Sequence, residues 1–221
     1  MAHALVIGES GGIGSALAEA LRARGDQVRG LSRARDGFDV TDPASVARHL
    51  GRLEEEFDLI VVATGALEIG GRRPEKALRQ ITPEAMVDQF RLHALGPALV
   101  LREAPRLMPR GRRAVFAALS ARVGSIGDNR LGGWHSYRAS KAALNQIIRG
   151  AAIELARTHP KAACVALHPG TVATPFTRRY LGAHPAVTPE HAATRLLGVI
   201  DGLDAAHNGR FLDYAGRDIA W

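Results

Sequence analysis

The stretch Ala4-Leu5-Val6-Ile7-Gly8-Glu9-Ser10-Gly11-Gly12-Ile13-Gly14 constrains this chain more than any other segment. A short β-branched run enters a glycine turn, and a helix with Leu17, Ala18, Ala20 and Leu21 on one apolar face leaves it. Gly8 can take the backbone angles of a tight turn, Gly12 lets the chain approach a pyrophosphate, and Gly14 lets helix and strand pack closely. Free amides at the helix start, around Ser10, Gly11 and Ile13, face an anion. Strand before and helix after make this a dinucleotide-binding turn, where glycines alone would mark only a bend.

Beyond it, short apolar runs alternate with segments of helical period, the pattern of parallel strands joined by crossover helices. Strands are expected at Ala4 to Ile7, Gln27 to Leu31, Phe38 to Val40, Leu59 to Ala63, Arg113 to Leu119, Ala163 to Leu167 and Arg210 to Asp213. Helices are expected from near Gly12, Pro43, Pro83, Ser136 and Pro189. Thr41-Asp42-Pro43, Thr82-Pro83-Glu84 and Thr188-Pro189-Glu190 each set a capping oxygen before a first-turn proline. Runs such as Leu59-Ile60-Val61-Val62-Ala63 are apolar on both faces, so helices should cover both sides of the sheet. The expected fold is α/β: a Rossmann-like, doubly wound parallel sheet. With 221 residues and no repeat or linker, residues 1–221 read as a single dinucleotide-binding domain.

The second expected strand ends in Leu31-Ser32-Arg33. No carboxylate stands there to hold a ribose 2′-hydroxyl, whereas a hydroxyl followed by a guanidinium suits a 2′-phosphate, so NADP(H) is favoured over NAD(H). Asp39 could accept from the adenine amino group and Val40 could line the ring pocket.

Tyr137-Arg138-Ala139-Ser140-Lys141 opens a long helical segment, where a spacing of four places Tyr137 and Lys141 on one face. A neighbouring ammonium stabilises phenolate, which lowers a phenol pKa and fits Tyr137 for acid/base work at a carbonyl oxygen. With the glycine turn, Asp39-Val40, Ala63-Thr64-Gly65 and Pro169-Gly170-Thr171-Val172-Ala173-Thr174, the chain closely resembles the short-chain dehydrogenase/reductase superfamily over essentially its whole length. Arg122 to Asn129, Gly132-Gly133-Trp134 and the ending from Asp213 resemble the C-factor and sniffer-type carbonyl reductase subgroup. The resemblance implies hydride transfer between NADP(H) and a carbonyl or alcohol, with Tyr137 as acid/base and Lys141 holding the nicotinamide ribose. It further implies that Pro169, Gly170, Val172 and Thr174 embrace the carboxamide and a phosphate, and that the chain forms a homodimer or homotetramer through the helices near Pro83 to Leu107 and Ser136 to Arg157.

Two positions depart from the family pattern. His93 occupies the asparagine site, where it could relay a proton through water and would add a titration near pH 6.5. Ala121 occupies the serine site, leaving Ser120 and Ser125 as candidate hydroxyls. A lost oxyanion donor costs on the order of 100-fold to 1000-fold in rate. A regulatory or signalling protein of C-factor type, binding NADP(H) with little turnover, is therefore the alternative to an active enzyme. The segment from Pro175 to Val187 is expected to cover the substrate.

A net charge of +7 would suit an anionic partner, but the arginines are scattered and no basic-aromatic interleaving appears, so a nucleic-acid role is not expected. Cys164 is the only cysteine, which excludes a disulfide within the chain and a cysteine metal site, and no metal is expected. No run reaches the ~18 apolar residues of a membrane span. The N-terminal residues lack the regions of a signal peptide, and a cytoplasmic location is the expectation.

Overall fold

A computed structural model describes residues 1–175, 177–181 and 186–221. Six parallel strands form one sheet: β1 (His3–Ile7), β2 (Gln27–Leu31), β3 (Leu59–Val62), β4 (Ala114–Leu119), β5 (Ala162–His168) and β6 (Phe211–Asp213), in the order β2-β1-β3-β4-β5-β6. Between them run α1 (Gly12–Ala23), α2 (Arg33–Asp36), α3 (Pro43–Leu50), α4 (Pro83–Phe90), α5 (Gly96–Leu107), α6 (His135–Leu155) and α7 (Pro189–Asp201).

Side-chain alternation along the strands divides the core in two. Leu5, Ile7, Phe116 and Ala118 join the side chains of α3, α5 and α6, while Ala4, Val6, Val115 and Ala117 join those of α1 and α7. The sheet is therefore doubly covered, and each fully buried leucine or isoleucine contributes about 1.5–3 kcal/mol. The three helix starts read from the sequence are all capped: Asp42 accepts from Ala44 N, Thr82 from Ala85 N and Thr188 from His191 N.

One expected strand does not form. After Gly37 turns into the left-handed region at φ 66°, Phe38 N donates to Ser32 O, Asp39 N to Ser45 Oγ, and the Asp39 carboxylate accepts from the backbone and hydroxyl of Thr41. These local partners leave Phe38 to Val40 outside any ladder, and β2 is the sheet edge.

The long helix expected from Pro83 to Leu107 is interrupted by a π-helical turn at Arg91–Leu95. Pro97 has no N–H to offer the carbonyl of His93, and its ring would crowd that oxygen, so the ladder opens there. That opening turns His93 inward, fully buried.

The strand order reverses between β1 and β3, because the chain goes from β1 outward to β2 and returns past β1 to β3. This is the switch point where an open α/β sheet leaves a crevice at the carboxyl ends of its strands.

Candidate functional site

Gly8 follows β1 with φ 90°, and a Cβ there would lie 2.9 Å from the carbonyl carbon of Ala63. The turn after β1 and the segment after β3 can therefore meet only through glycine. At Gly14 a Cβ would overlap the Gly8 carbonyl oxygen, in keeping with its expected part in close helix–strand packing. Gly12 faces the Thr174 methyl group, 2.8 Å from where its own Cβ would stand.

Between these turns lies a cleft of about 350 Å³. Ser10, Gly11, Gly12 and Ile13 line one wall, and Ala63, Thr64 and Gly65 line another. His93, Ser120, Tyr137 and Lys141 close its inner end, with Pro169 and Thr174 above them. A second cavity of about 640 Å³ shares Ile13, Ser120, Tyr137, Pro169 and Thr174 with the first and extends past Gly170 and Val172. Tyr137 thus stands where the two spaces join.

Tyr137 and Lys141 are both buried on α6, one turn apart. Lys141 Nζ donates to Leu119 O at 2.7 Å and lies 6.0 Å from the centroid of the Tyr137 ring. Burial lowers the ammonium from 10.5 to about 7 and raises the phenol above its ordinary value of 10. The sequence expectation that Lys141 depresses the phenol is not met in this arrangement: burial alone sets the direction, and the ammonium is aimed at a carbonyl.

His93 Nδ1 lies 3.1 Å from Gln89 O, and Ala66 N donates to Nε2 at 3.1 Å. A carbonyl only accepts, so the proton sits on Nδ1 and the ring is neutral. Burial, and then the charge of Lys141, hold its pKa well below 6.5. The expected titration near pH 6.5 is corrected accordingly, and both nitrogens are engaged by backbone rather than free for a water relay.

The three candidate positions for the serine lie in different surroundings. Ser120 follows β4, lines both cavities and donates to Asn145 Oδ1 at 2.6 Å. Ala121 lines only the second cavity. Ser125 lines neither, and its hydroxyl accepts from Asp128 N at 3.0 Å. Asn145, absent from the sequence reading, had a signal in its spacing of four from Lys141.

At the end of β2, Ser32 is buried and caps α2, accepting from Arg35 N at 3.3 Å. Asp36 folds back so that its carboxylate accepts from Ser32 N at 2.7 Å and from the Ser32 hydroxyl at 3.3 Å. A carboxylate therefore does reach this place, contrary to the reading of Leu31-Ser32-Arg33 alone. Arg33 is exposed, while Arg35 lies 3.6 Å from the buried Glu9 carboxylate. Ser32, Arg33, Asp39 and Val40 all lie outside the cleft, and Val40 packs where a Cβ on Gly96 would be.

The segment carrying Tyr137 is clamped from two sides. Gly132, Gly133 and Trp134 all have positive φ, Trp134 at 51°. Trp134 N donates to Glu75 O at 2.5 Å, and the Glu75 carboxylate accepts from Ser136 N at 3.2 Å and from the Ser136 hydroxyl. Glu75 thereby serves as the cap that Trp134 cannot supply to α6, and no local sequence signal marks it, since it lies 61 residues upstream of Ser136.

The residues fit a nicotinamide dinucleotide. Thr64 lines the cleft, and its buried Oγ1 has no hydrogen-bond partner among the described residues, which leaves a place for a polar group of a bound molecule. Among the described residues no helix is long and apolar enough to cross a membrane, and no group of three His, Cys, Asp or Glu side chains could hold a metal ion. Residues 176 and 182–185 of the segment expected to cover the substrate lie outside the described residues.

A family model described as Enoyl-(Acyl carrier protein) reductase matches residues 7–206. The chain is 32% identical over 239 aligned residues, covering 100% of both proteins, to 1-hydroxy-2-glutathionyl-2-methyl-3-butene dehydrogenase of Rhodococcus sp. (strain AD45). It is 37% identical to the C-signal protein of Myxococcus xanthus over 66% of this chain and 84% of that protein. A Burkholderia multivorans short-chain dehydrogenase/reductase solved with bound NADP is 26% identical, with a TM-score of 0.81 over 100% of this chain and 99% of that one. The carbonyl reductase Sniffer of D. melanogaster shares the fold with a TM-score of 0.85 over the full length of both chains at 19% identity. The glycine turn at the switch point, Tyr137 with Lys141 at the cleft's inner end, and these matches together establish that the chain belongs to the short-chain dehydrogenase/reductase family of oxidoreductases, with a sequence resemblance to C-signal.

Proposed function

We propose that residues 1–221 act as one NADP(H)-dependent unit that transfers hydride between the nicotinamide and a small carbonyl or alcohol. The observation that carries this reading is the position of Tyr137, buried at the junction of the dinucleotide cleft and the second cavity with Lys141 one turn away. Ser10, Gly11, Gly12 and Ile13 would hold the pyrophosphate, Ala63 to Gly65 the middle of the cofactor, and Pro169, Gly170, Val172 and Thr174 the carboxamide end. Bound NADPH would supply the hydride. Tyr137 Oη would give its proton to the substrate oxygen, and Lys141, turned from Leu119 O toward a ribose hydroxyl, would favour the phenolate that remains. The Ser120 hydroxyl, whose proton goes to Asn145 Oδ1 in this arrangement, would turn that proton to the substrate oxygen, in place of the side chain that Ala121 lacks. His93 would position the Tyr137 ring. Arg33 would meet the 2′-phosphate.

The test follows NADPH absorbance with aldehydes, ketones and diketones, comparing the native protein with Tyr137→Phe. Turnover that is lost in the variant is the expected result, and equal, negligible rates in both would overturn it.

A second reading, an NADP(H)-binding regulatory or signalling protein, is favoured by Ala121 together with the similarity to C-signal. It keeps NADPH binding without turnover. A homodimer or homotetramer through α4 to α6 fits the exposed Val87, Phe90, Leu95 and Ile153, and a cytoplasmic location completes the proposal, with no nucleic acid, membrane or metal partner.

A further inference from the structure

Trp134, Leu131, Val123 and Tyr180 give the second cavity apolar walls, yet three guanidinium groups, Arg122, Arg130 and Arg138, also line it. Their charges are not equally compensated. Arg122 pairs with Asp128 at 2.8 Å and lies 3.7 Å from Asp213, which also neutralises the one carboxylate in the lining. Arg130 and Arg138 have no carboxylate partner among the described residues, and the residues outside that set include no Asp or Glu. His168, also in the lining, is kept neutral by burial and then by Arg122, with its pKa lowered to about 4. The cavity thus presents net positive charge.

Arg138 is half-buried and already fixed. Its Nε donates to Gly133 O at 2.9 Å and to Gly132 O at 3.2 Å, and Nη1 reaches Val123 O at 3.3 Å. Nη2 makes no hydrogen bond among the described residues. A guanidinium held this way loses little freedom when an anion arrives, and apolar walls strengthen its field. The three positive-φ residues Gly132, Gly133 and Trp134 are what bring two carbonyls to its Nε while turning the indole toward Tyr137 and Tyr180, with ring centroids 6.1 Å and 5.6 Å away.

We infer that the substrate carries a carboxylate on an apolar body: the carbonyl at Tyr137, the body along Trp134, and the carboxylate at Arg138 with Arg130 behind it. This rests on the reading of the second cavity as the substrate site. The test uses a matched pair, 4-carboxybenzaldehyde and methyl 4-formylbenzoate, with NADPH. The ratio of kcat/KM for acid over ester should be about ten-fold or more in the native protein at low salt, the range of a hydrogen bond to a charged group. It should fall toward one in Arg138→Gln, fall part of the way in Arg130→Gln, be largely retained in Arg138→Lys, and shrink as salt rises. Because a ratio is read, any general damage to the site cancels. A native ratio near one, or a ratio unchanged in both glutamine variants, would overturn the inference. If neither aldehyde is turned over, the reductase reading has failed by itself. Calorimetric binding of the same two compounds to the NADPH-loaded protein then decides the matter: tighter binding of the acid supports the inference, and equal affinity refutes it.

Discussion

The imidazole of His93 stands edge-on against the ring of Tyr137, with centroids 5.1 Å apart and planes at 83°. Its two nitrogens are spent on Gln89 O and Ala66 N, so it acts on the tyrosine through packing. Because its folded pKa lies well below 6.5, the unfolded chain takes up a proton below pH 6.5 that the folded chain refuses. Native stability therefore falls as pH drops from about 6.5, and His168, lowered to about 4, adds to the same slope. In His93→Asn the decline between pH 6.5 and 5 should flatten by up to about 1.4 kcal/mol per pH unit, the value for one proton. Urea unfolding across that range checks it, and an unchanged slope would mean that His93 protonates in place.

Lys141 sets function against stability. Its pKa of about 7 in the fold, against 10.5 for the free side chain, means that between those values the unfolded chain holds a proton the folded chain gives up. Native stability accordingly rises with pH from about 7 to 10.5, and the cost of burying the charge is full below 7. Lys141→Met should remove that dependence and raise stability at pH 6 by about 1–4 kcal/mol, while NADPH oxidation is lost. Thermal unfolding at pH 6 and pH 9 separates the effects, since the gain should be smaller at the higher pH.

The three candidate hydroxyl positions make a graded set. Ser120 shares both cavities with Tyr137, so Ser120→Ala should lower kcat about 100- to 1000-fold. Ser125→Ala should leave kcat unchanged and lower stability by about 1 kcal/mol through the lost bond from Asp128 N. Ala121 faces the second cavity, and Ala121→Ser should raise kcat. Equal losses in the Ser120 and Ser125 variants would remove Ser120 from the proposed role.

What the sequence made legible is what depends on near neighbours. The three capped helix starts, the glycine turn and the Tyr137–Lys141 spacing each lie within one turn or bend, and all appear where expected. The six strands that form begin and end within a residue of the apolar runs that mark them. The failures involve partners that sequence distance hides. Phe38 to Val40 reads as a strand, but Ser32, Thr41 and Ser45 take its polar groups first. The π turn at His93 depends on Pro97 four residues ahead, which removes the N–H that the His93 carbonyl would accept from. Glu75 capping α6, and the burial that reverses the expected shift of Tyr137, arise only once the sheet has assembled.

The cofactor preference turns on a carboxylate that the sequence placed too far along to notice. Asp36 returns to the backbone N–H and hydroxyl of Ser32, which puts a negative charge beside the position proposed for a 2′-phosphate, while Arg33 one residue on is exposed. The two effects oppose each other: a guanidinium bonds a phosphate in a fork, and a carboxylate a few ångströms away weakens that attraction. Arg33→Ala should therefore reduce the ratio of NADPH to NADH affinity by about ten-fold or more, whereas Asp36→Asn should raise it, since the amide keeps an acceptor for Ser32 N and removes the charge. Fluorescence titration of both cofactors against the three proteins gives the ratios directly. Because NADH carries no 2′-phosphate, its affinity should scarcely change in either variant; a parallel loss of both cofactors in Arg33→Ala would assign that arginine to the fold of the turn and leave the 2′-phosphate to Arg35.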